Sequence, residues 1–267
     1  MGMTKTNRIQ IEYELEFSAP FHCGTGVRSG LIDRSVMRDG GRYLYVPGST
    51  IKGVVRELCE QLARFYEDSD DTMRARIASP HDKVIALKDL GAKPTLVTRI
   101  FGSQVRPGLL CFNDAQQTKG DKKQYGTREE PKLYQNMQTD LYTQVRLNRP
   151  TRTAVRGALY SSEFGVRKMV FQGSIVGGLE CIPIRTEIDE IFSGKDDGPT
   201  YSLLLLLAGL YMIERLGGNK STGKGECHCT ITQLKINNTI ITAEQRKSWL
   251  QRLNVLSYYS LMLQEEA

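Results

Sequence analysis

Residues 201–236 read YSLLLLLAGLYMIERLGGNKSTGKGECHCTITQLKI. An apolar segment is followed by a glycine-rich segment and then by one in which polar and apolar residues alternate. From Tyr201 to Leu216 the residues are apolar almost all round, which predicts a helix buried inside a core. Gly217 and Gly218 are expected to end that helix. From Glu226 to Ile236 polar and apolar residues alternate, as they do in a strand. The segment therefore predicts a buried helix, a glycine-rich loop and a strand.

The first third of the chain predicts a strand, a hairpin and a helix. Alternation from Arg8 to Phe17 is typical of a half-buried strand, and its apolar face consists of Ile9, Ile11, Tyr13, Leu15 and Phe17. Asp39-Gly40-Gly41 is expected to form the turn of a hairpin between residues 31–38 and 42–46. Ser49 or Thr50 is expected to cap a helix. Its packing positions at helical spacing are Val54, Leu58, Leu62 and Phe65.

Shorter segments complete a single α+β domain over residues 1–267. A short strand is predicted at 109–112, further strand-like residues at 158–182, and a helix at 243–263 that packs through Trp249, Leu253, Leu256 and Leu263. Residues 67–100 and 116–136 are interpreted as surface insertions. The order of elements suits a ferredoxin-like sandwich with the helices on one sheet face. RNA-recognition modules share that architecture and bind RNA on the opposite face.

The composition indicates a globular protein with a mild preference for polyanions. Lys and Arg exceed Asp and Glu by 36 to 30, which gives a net charge of +6. The six cysteines are dispersed and form no CxxC pair, so neither a disulfide framework nor a zinc site is predicted. We expect no signal segment, no membrane span and no membrane partner, and therefore a cytoplasmic protein.

Two segments have the character of phosphate-binding sites. The loop Gly217–Gly225 holds four glycines, which let backbone amides approach a phosphate, while Lys220 and Lys224 add positive charge. It is not a Walker A loop, because the helix precedes it. The predicted helix N-terminus carries Ser49, Thr50, Lys52 and Arg56. A flexible connection and an ordinary capped helix are the alternatives.

Four segments in order resemble those of the RAMP (repeat-associated mysterious protein) superfamily. The glycine loop between a helix and a strand is one, and VPGSTIKGVVR at 46–56 is similar to the family's IPGSSLKGxxR segment. FHCGTG at 21–26, and FGS at 101–103 followed by GLLCFNDA at 108–115, are similar in particular to the backbone subunit of type III CRISPR effector complexes. The resemblance runs from about residue 9 to residue 236.

The resemblance implies a subunit of a ribonucleoprotein complex for antiviral defence. Its implied partners are a guide RNA, a complementary target RNA, other CRISPR effector subunits, and copies of itself or related RAMP subunits. Such copies would form a filament through head-to-tail contacts. The target RNA would be cleaved at regular spacing, which would make the protein a metal-dependent endoribonuclease and hence a hydrolase within the complex.

Asp33 is the catalytic residue and metal ligand that the resemblance implies. It lies in LIDRSVMRD, residues 31–39, at the place of the family's aspartate, which supports cleavage with Mg²⁺ or Mn²⁺. The family more often has a small residue and proline next, whereas this chain has Arg34-Ser35, and Arg34 could pair with Asp33 and weaken metal binding. A catalytically inactive scaffold subunit is therefore the alternative.

The resemblance assigns guide-RNA contact to His22 and a protruding hairpin, the thumb, to residues 140–175. A packed structural histidine, or a metal-independent guide-processing endoribonuclease that uses His22, are the other interpretations. The thumb would contact the RNA backbone through its arginines and insert Leu147 or Val155 between bases; a solvated basic loop is the alternative. The residues expected to contact RNA are His22, Ser49, Lys52, Arg56, Arg146, Arg149, Arg152, Arg156, Gly218, Lys220 and Lys224.

Overall fold

An antiparallel sheet is the centre of the protein in the computed structural model, which describes residues 6–40, 42–66, 94–104, 106–125, 137–184 and 198–259. The strands are β1 Thr6–Phe17, β2 Tyr45–Val46, β3 Leu110–Phe112, β4 Ala115–Gln117, β5 Thr139–Asn148, β6 Thr153–Gly165, β7 Val170–Glu180, β8 Cys227–Ile236 and β9 Thr239–Ile241. The sheet has the order β2-β4-β7-β1-β8-β9, and β3 also pairs with β7. β5 and β6 form a separate two-stranded hairpin.

β1 lies between β7 and β8 and is antiparallel to both. Its predicted alternation is confirmed, because Ile9, Ile11, Tyr13, Leu15 and Phe17 are all buried in the core. A strand covered on one face and paired on both edges requires this period of two.

The helices are α1 Gly48–Tyr66, α2 Leu96–Phe101, α3 Lys119–Tyr125, α4 Tyr201–Tyr211 and α5 Ala243–Leu250. α4 packs against α1, β7 and β8, and every residue from Tyr201 to Leu210 is buried, as its uniformly apolar sequence predicts. With α1 after β1 and α4 between β7 and β8, the connectivity is ferredoxin-like, which confirms the predicted α+β class. Within the described ranges, no helix combines the length and apolar character needed to cross a bilayer.

α4 ends earlier than its sequence predicts. It stops at Tyr211, so Gly217 and Gly218 do not terminate it. The chain instead becomes extended: Arg215 bridges Glu226, and Leu216 N–H donates to the carbonyl oxygen of Gly225 at 2.8 Å. The glycine loop is therefore the connection between two paired segments. Residues 212–216 therefore pair across this loop with the start of β8 and do not continue the helix.

The start and the buried face of α1 also differ from expectation. The helix begins at Gly48, whose N–H donates to Asp114 Oδ1 at 2.8 Å, so neither Ser49 nor Thr50 is the cap. The deeply buried positions are Ile51, Val55, Cys59 and Ala63. The predicted positions Val54, Leu58 and Leu62 are only partly buried beside them, and Phe65 is 83% exposed.

The predicted hairpin at residues 31–46 forms only in part. Tyr45–Val46 is a strand, Arg38 bridges Leu44, and Tyr43 N–H donates to Asp39 Oδ1 at 2.9 Å, which agrees with Asp39 as a turn former. The rest of the expected first arm pairs elsewhere: Asp33 N–H and Arg34 N–H both donate to the carbonyl oxygen of Ser161 in β6, and residues 35–37 pair with residues 23–25. Two other segments thus take the place of the second arm of the hairpin.

The remaining predictions concern the short strand at 109–112, the two insertions, the C-terminal helix and the bounds of the hairpin. β3 confirms the short strand at 109–112. The structure does not describe residues 67–93, residues 126–136 or Leu263. The described parts of the two supposed insertions include the buried helix α2 and the elements β4 and α3. α5 stops at Leu250 and is followed by a 3-10 helix, Leu253–Ser257; Trp249 and Leu256 are buried as predicted. The hairpin covers 139–165, and from 170 onward the chain belongs to β7.

Candidate nucleic-acid interface

A cleft of about 540 Å³ lies where distant parts of the chain meet. Its walls come from the segments 22–27, 33–35, 49–54 and 217–220. Of the residues predicted to act on RNA, it is lined by His22, Asp33, Ser49, Gly218 and Lys220. The fold therefore brings together side chains that are as much as 198 positions apart, 22 against 220.

His22 is buried and held in one tautomer. Its Nδ1 lies 2.7 Å from the carbonyl oxygen of Glu163, and since a carbonyl only accepts, the imidazole proton is on Nδ1. Nε2 is then an acceptor. The small size of Gly24 leaves room for the ring, because a Cβ at that position would lie 2.6 Å from Nε2.

The pKa of His22 is expected to lie below its ordinary value of 6.5. Burial lowers this pKa most; the hydrogen bond to Glu163 raises it, and the charge of Arg34 lowers it. We therefore expect a neutral imidazole at pH 7 with its proton on Nδ1, measurable from nitrogen shifts with a His22→Gln variant for assignment. As the pH falls, the unfolded chain protonates this imidazole to the imidazolium before the folded protein does. The free energy of unfolding should therefore fall as the pH drops below 6.5. A doubly protonated ring at pH 7 would contradict this.

Asp33 is anchored to the edge of β6. Its Oδ2 accepts the N–H of Ser161 at 2.9 Å, and its Oδ1 lies 3.4 Å from Nε of Arg28. Arg28 is 81% exposed, so this ion pair is weak. The anticipated pairing with Arg34 is not what the structure has, because Arg34 Nη1 donates to Asn219 Oδ1 at 3.1 Å.

The cleft offers one carboxylate for a metal ion. Asp33 is the single acidic residue of its lining, and the described residues contain no group of three or more His, Cys, Asp or Glu that could hold a metal. Mg²⁺ usually keeps several waters and binds one or two carboxylates together with substrate phosphates. The donor set therefore fits Mg²⁺ or Mn²⁺ only if RNA phosphate oxygens supply further ligands.

The N-terminus of α1 contributes Ser49 and Thr50 to the cleft, but its basic residues lie elsewhere. Lys52 and Arg56 do not line the cleft. Arg56 Nε donates to Glu60 Oε1 at 2.8 Å, one helical turn further on. In the first turn, Gly48 N–H is taken by Asp114, and the N–H groups of Thr50 and Ile51 donate to the carbonyl oxygen of Pro47. The contribution of α1 to an anion site therefore comes from Ser49, the hydroxyl of Thr50 and the positive end of the helix dipole.

The glycine loop divides its two lysines between two places. Gly218 N–H donates to the carbonyl oxygen of His22 at 2.8 Å, which holds Lys220 at the cleft. Lys224 points to the base of the hairpin: its Nζ lies 4.3 Å from the ring centroid of Tyr142 and 5.3 Å from that of Phe164. Lys224 thus makes cation–π contacts that join the loop to β5 and β6.

The hairpin holds the predicted arginines away from the cleft. They lie toward its far end and are all exposed: Arg146, Arg149, Arg152 and Arg156. The two proposed wedge residues, Leu147 and Val155, are also exposed there. Further exposed apolar side chains on the hairpin, which sequence reasoning missed, are Leu141, Val145 and Leu159.

Ser161 and Glu163 of β6 were also missed by sequence reasoning. They contact Asp33 and His22, respectively, through long-range hydrogen bonds. Their only local signal is a polar Ser-Ser-Glu run inside a strand-like segment, which says nothing about a partner more than 120 positions away.

The open face of the sheet is a poorer candidate for RNA binding than the cleft. The outward side of β1 carries three carboxylates, at Glu12, Glu14 and Glu16. Clustered negative charge repels a phosphate backbone. The expectation that RNA binds across this face is therefore not favoured by its charge.

A family model described as the RAMP superfamily matches residues 14–228, which include all four cleft segments and the hairpin. No curated protein matches the chain. Among solved structures, a chain in the cryo-EM structure of the type III-B Cmr-beta bound to cognate target RNA is similar. It is 13% identical, with a TM-score of 0.48 over 83% of this chain and 96% of that chain.

Proposed function

The chain belongs to the RAMP superfamily, and from that membership we propose that it is a guide-RNA-binding subunit of a type III CRISPR effector complex. The observation that carries the proposal is the cleft, in which a helix N-terminus and a glycine loop with Lys220 meet His22 and Asp33. These are the groups that recognise a phosphate backbone and its 2′-hydroxyls. The four segments that resemble the RAMP superfamily include three of the four that form the cleft walls: 22–27, 49–54 and 217–220.

RNA binding would combine main-chain and side-chain groups of the cleft. Ser49 and Thr50 at the start of α1 and Gly217 in the glycine loop would face a phosphate, with Lys220 as its counter-charge. His22 Nε2, which carries no proton, would accept a hydrogen bond from a 2′-hydroxyl. The exposed arginines of the hairpin would contact the RNA backbone beyond the cleft.

The partners would be a guide RNA, a complementary target RNA, other effector subunits and further copies of this or a related chain in a filament. A surface with an acidic sheet face and a basic hairpin suits ordered head-to-tail contacts. Such a complex would work in the cytoplasm.

We further propose that Asp33 supports cleavage of the target RNA with Mg²⁺ or Mn²⁺. The Ser161 N–H orients the carboxylate toward the cleft wall, and displacement of the exposed Arg28 would free Oδ1 for a metal. A bound divalent ion would supply charge stabilisation at the phosphate. Asp33 would hold it beside the scissile group, while the cleft holds the strand in place for attack by the neighbouring 2′-hydroxyl.

A catalytically inactive scaffold subunit is the second candidate. It is favoured by the fact that both carboxylate oxygens of Asp33 already have protein partners, Ser161 and Arg28. A metal-independent guide-processing endoribonuclease is less well supported. Such an enzyme would need a general acid as well as a general base. His22, whose one proton is donated to a backbone carbonyl, could serve only as the base through Nε2, and among the described residues the cleft lining has no second histidine.

RNA binding at the cleft is tested by Lys220→Ala. We expect weaker binding of a single-stranded RNA, with the slope of log K against log salt reduced by about 1, because one phosphate contact is lost. Lys247→Ala is the matched control, since Lys247 is an exposed lysine on α5 outside the cleft lining. Titrations of the full-length chain at several salt concentrations give both values. Equal slopes for the two variants would remove the cleft as the RNA site.

A further inference from the structure

Glu163 is a buried charge at the base of the hairpin, only 8% exposed. Three donors converge on its two carboxylate oxygens. Oε2 accepts the N–H of Val36 at 3.1 Å, while Oε1 accepts from Thr139 Oγ1 at 2.7 Å and from Arg38 Nη2 at 2.5 Å. One side chain of β6 therefore holds both β5 and the segment that follows Asp33.

The main chain of Glu163 makes two further contacts with the cleft. Its N–H donates to the carbonyl oxygen of Arg34 at 2.9 Å, and its carbonyl oxygen accepts from His22 Nδ1 at 2.7 Å. Two residues earlier in β6, Ser161 binds Asp33 through both its N–H and its carbonyl oxygen. The Asp33 segment and the His22 ring are thus both fixed to the same few residues of β6.

From this geometry we infer that Glu163 is a positioning residue: its side chain holds residues 33–38, the Asp33 segment, in register with the base of the hairpin, while its main-chain carbonyl, which a side-chain substitution keeps, holds His22. The inference rests on the proposed function, because it names the residue that sets the geometry of the proposed RNA site. Glu163 does not line the cleft, so it would act through Asp33 and His22 and not by touching RNA.

A glutamine cannot replace this carboxylate. Burial alone raises the pKa of Glu163, but hydrogen bonds from Thr139 and Val36 and the charge of Arg38 lower it, and the net pKa lies below its ordinary value of 4.5. The ionised form offers acceptors on both oxygens. Glutamine has one acceptor oxygen, and its NH₂ group would face a donor. At least one of the contacts to Val36, Thr139 and Arg38 must therefore be lost.

The chain provides a matched control at Glu180. Its burial is the same, 8% exposed, and it is also paired with arginines, Arg99 and Arg106. It lies at the end of β7 and outside the cleft lining. Glu163→Gln and Glu180→Gln therefore each disturb a buried ion pair, but only the first is connected to Asp33.

The test compares wild type, Glu163→Gln and Glu180→Gln in three measurements: RNA affinity, cleavage rate of saturating target RNA in the assembled complex, and amide hydrogen exchange of residues 33–38. For Glu163→Gln we expect unchanged affinity, cleavage slowed on the order of 10- to 100-fold, as for a misplaced catalytic group, and faster exchange at 33–38. Glu180→Gln should resemble wild type in all three.

The inference is overturned if the two variants slow cleavage equally, or if Glu163→Gln leaves both cleavage and exchange unchanged. If the wild type itself does not cleave, the nuclease part of the proposed function fails separately. Amide exchange then decides about Glu163: acceleration at 33–38 in Glu163→Gln alone supports positioning, and its absence refutes it.

Discussion

Asp33→Ala is expected to abolish metal-dependent cleavage of a guide-complementary RNA while the affinity for that RNA stays the same. Among the residues that the structure describes, Asp33 is the single carboxylate of the cleft lining, so no other lining carboxylate can take its place at a divalent ion. Loss of a group that stabilises charge in the transition state costs roughly 100-fold or more in rate. The measurement is cleavage of a labelled target by the assembled complex, with and without Mg²⁺, read as regularly spaced products.

Asp33→Asn separates the chemical role of this residue from its structural role. Asparagine keeps an oxygen that can accept the N–H of Ser161, so the segment should stay in place while cleavage is lost. Glu12→Gln, on the outward side of β1, removes one negative charge outside the cleft and should cleave normally. Products that persist in Asp33→Ala would show that the chain is an RNA-binding scaffold and that another subunit cuts.

Gly225→Ala is expected to lower the free energy of unfolding by about 2–5 kcal/mol, through backbone strain and overpacking together. Gly225 has a φ of +74°, and a Cβ there would lie 2.0 Å from the carbonyl oxygen of Leu216. Gly225 cannot shift easily, because two hydrogen bonds hold its main chain. Its N–H donates to the carbonyl oxygen of Pro20 at 2.8 Å, and its carbonyl oxygen accepts the N–H of Leu216 at 2.8 Å. The same change should therefore disturb the end of the glycine loop.

Gly223→Ala is the control for that prediction. Gly223 has a similar φ of +80°, but nothing lies within 4 Å of its Cβ position, so only the strain of about 1–2 kcal/mol remains. Urea unfolding of both variants gives the two free energies. Equal losses would mean that the contact between Gly225 and Leu216 is not as close as described.

Local patterns predicted the elements whose environment is uniform along their length. β1 and β8 alternate because one face is buried throughout, and α4 is apolar because it is buried all round. The ferredoxin-like class followed from their order. The errors arose where a partner outside the local pattern decides. Residues 212–216 leave the helix and Leu216 pairs with Gly225 across the glycine loop, and in the expected hairpin arm Asp33 and Arg34 pair with Ser161 of β6.

The candidate site, like the fold, could be predicted from the sequence only in part. Ser49, Gly218 and Lys220, which the helix start and the glycine spacing indicated as phosphate-binding candidates, line one cleft with His22 and Asp33, a grouping that the sequence did not predict. The positions of lysines and arginines in the sequence could not predict which of their side chains face the cleft. In the structure, Lys224 makes a cation–π contact with Tyr142, and Arg56 donates to Glu60. The roles of all these residues in RNA binding stay predictions.

The attachment of Asp33 to β6 has a consequence for length measurement. β6 connects Val155, near the exposed end of the hairpin, with Ser161, which holds the aspartate six positions further on. The strand bulges between them, where Gly157 has a φ of +73° and the register between β5 and β6 shifts. A straight strand rises about 3.3 Å per residue, so roughly 20 Å is the upper bound of the separation and the bulge shortens it. If both meet RNA, the chain contains a molecular ruler, and the phosphodiester that is cut is chosen by the length of a protein strand and not by the bases beside it.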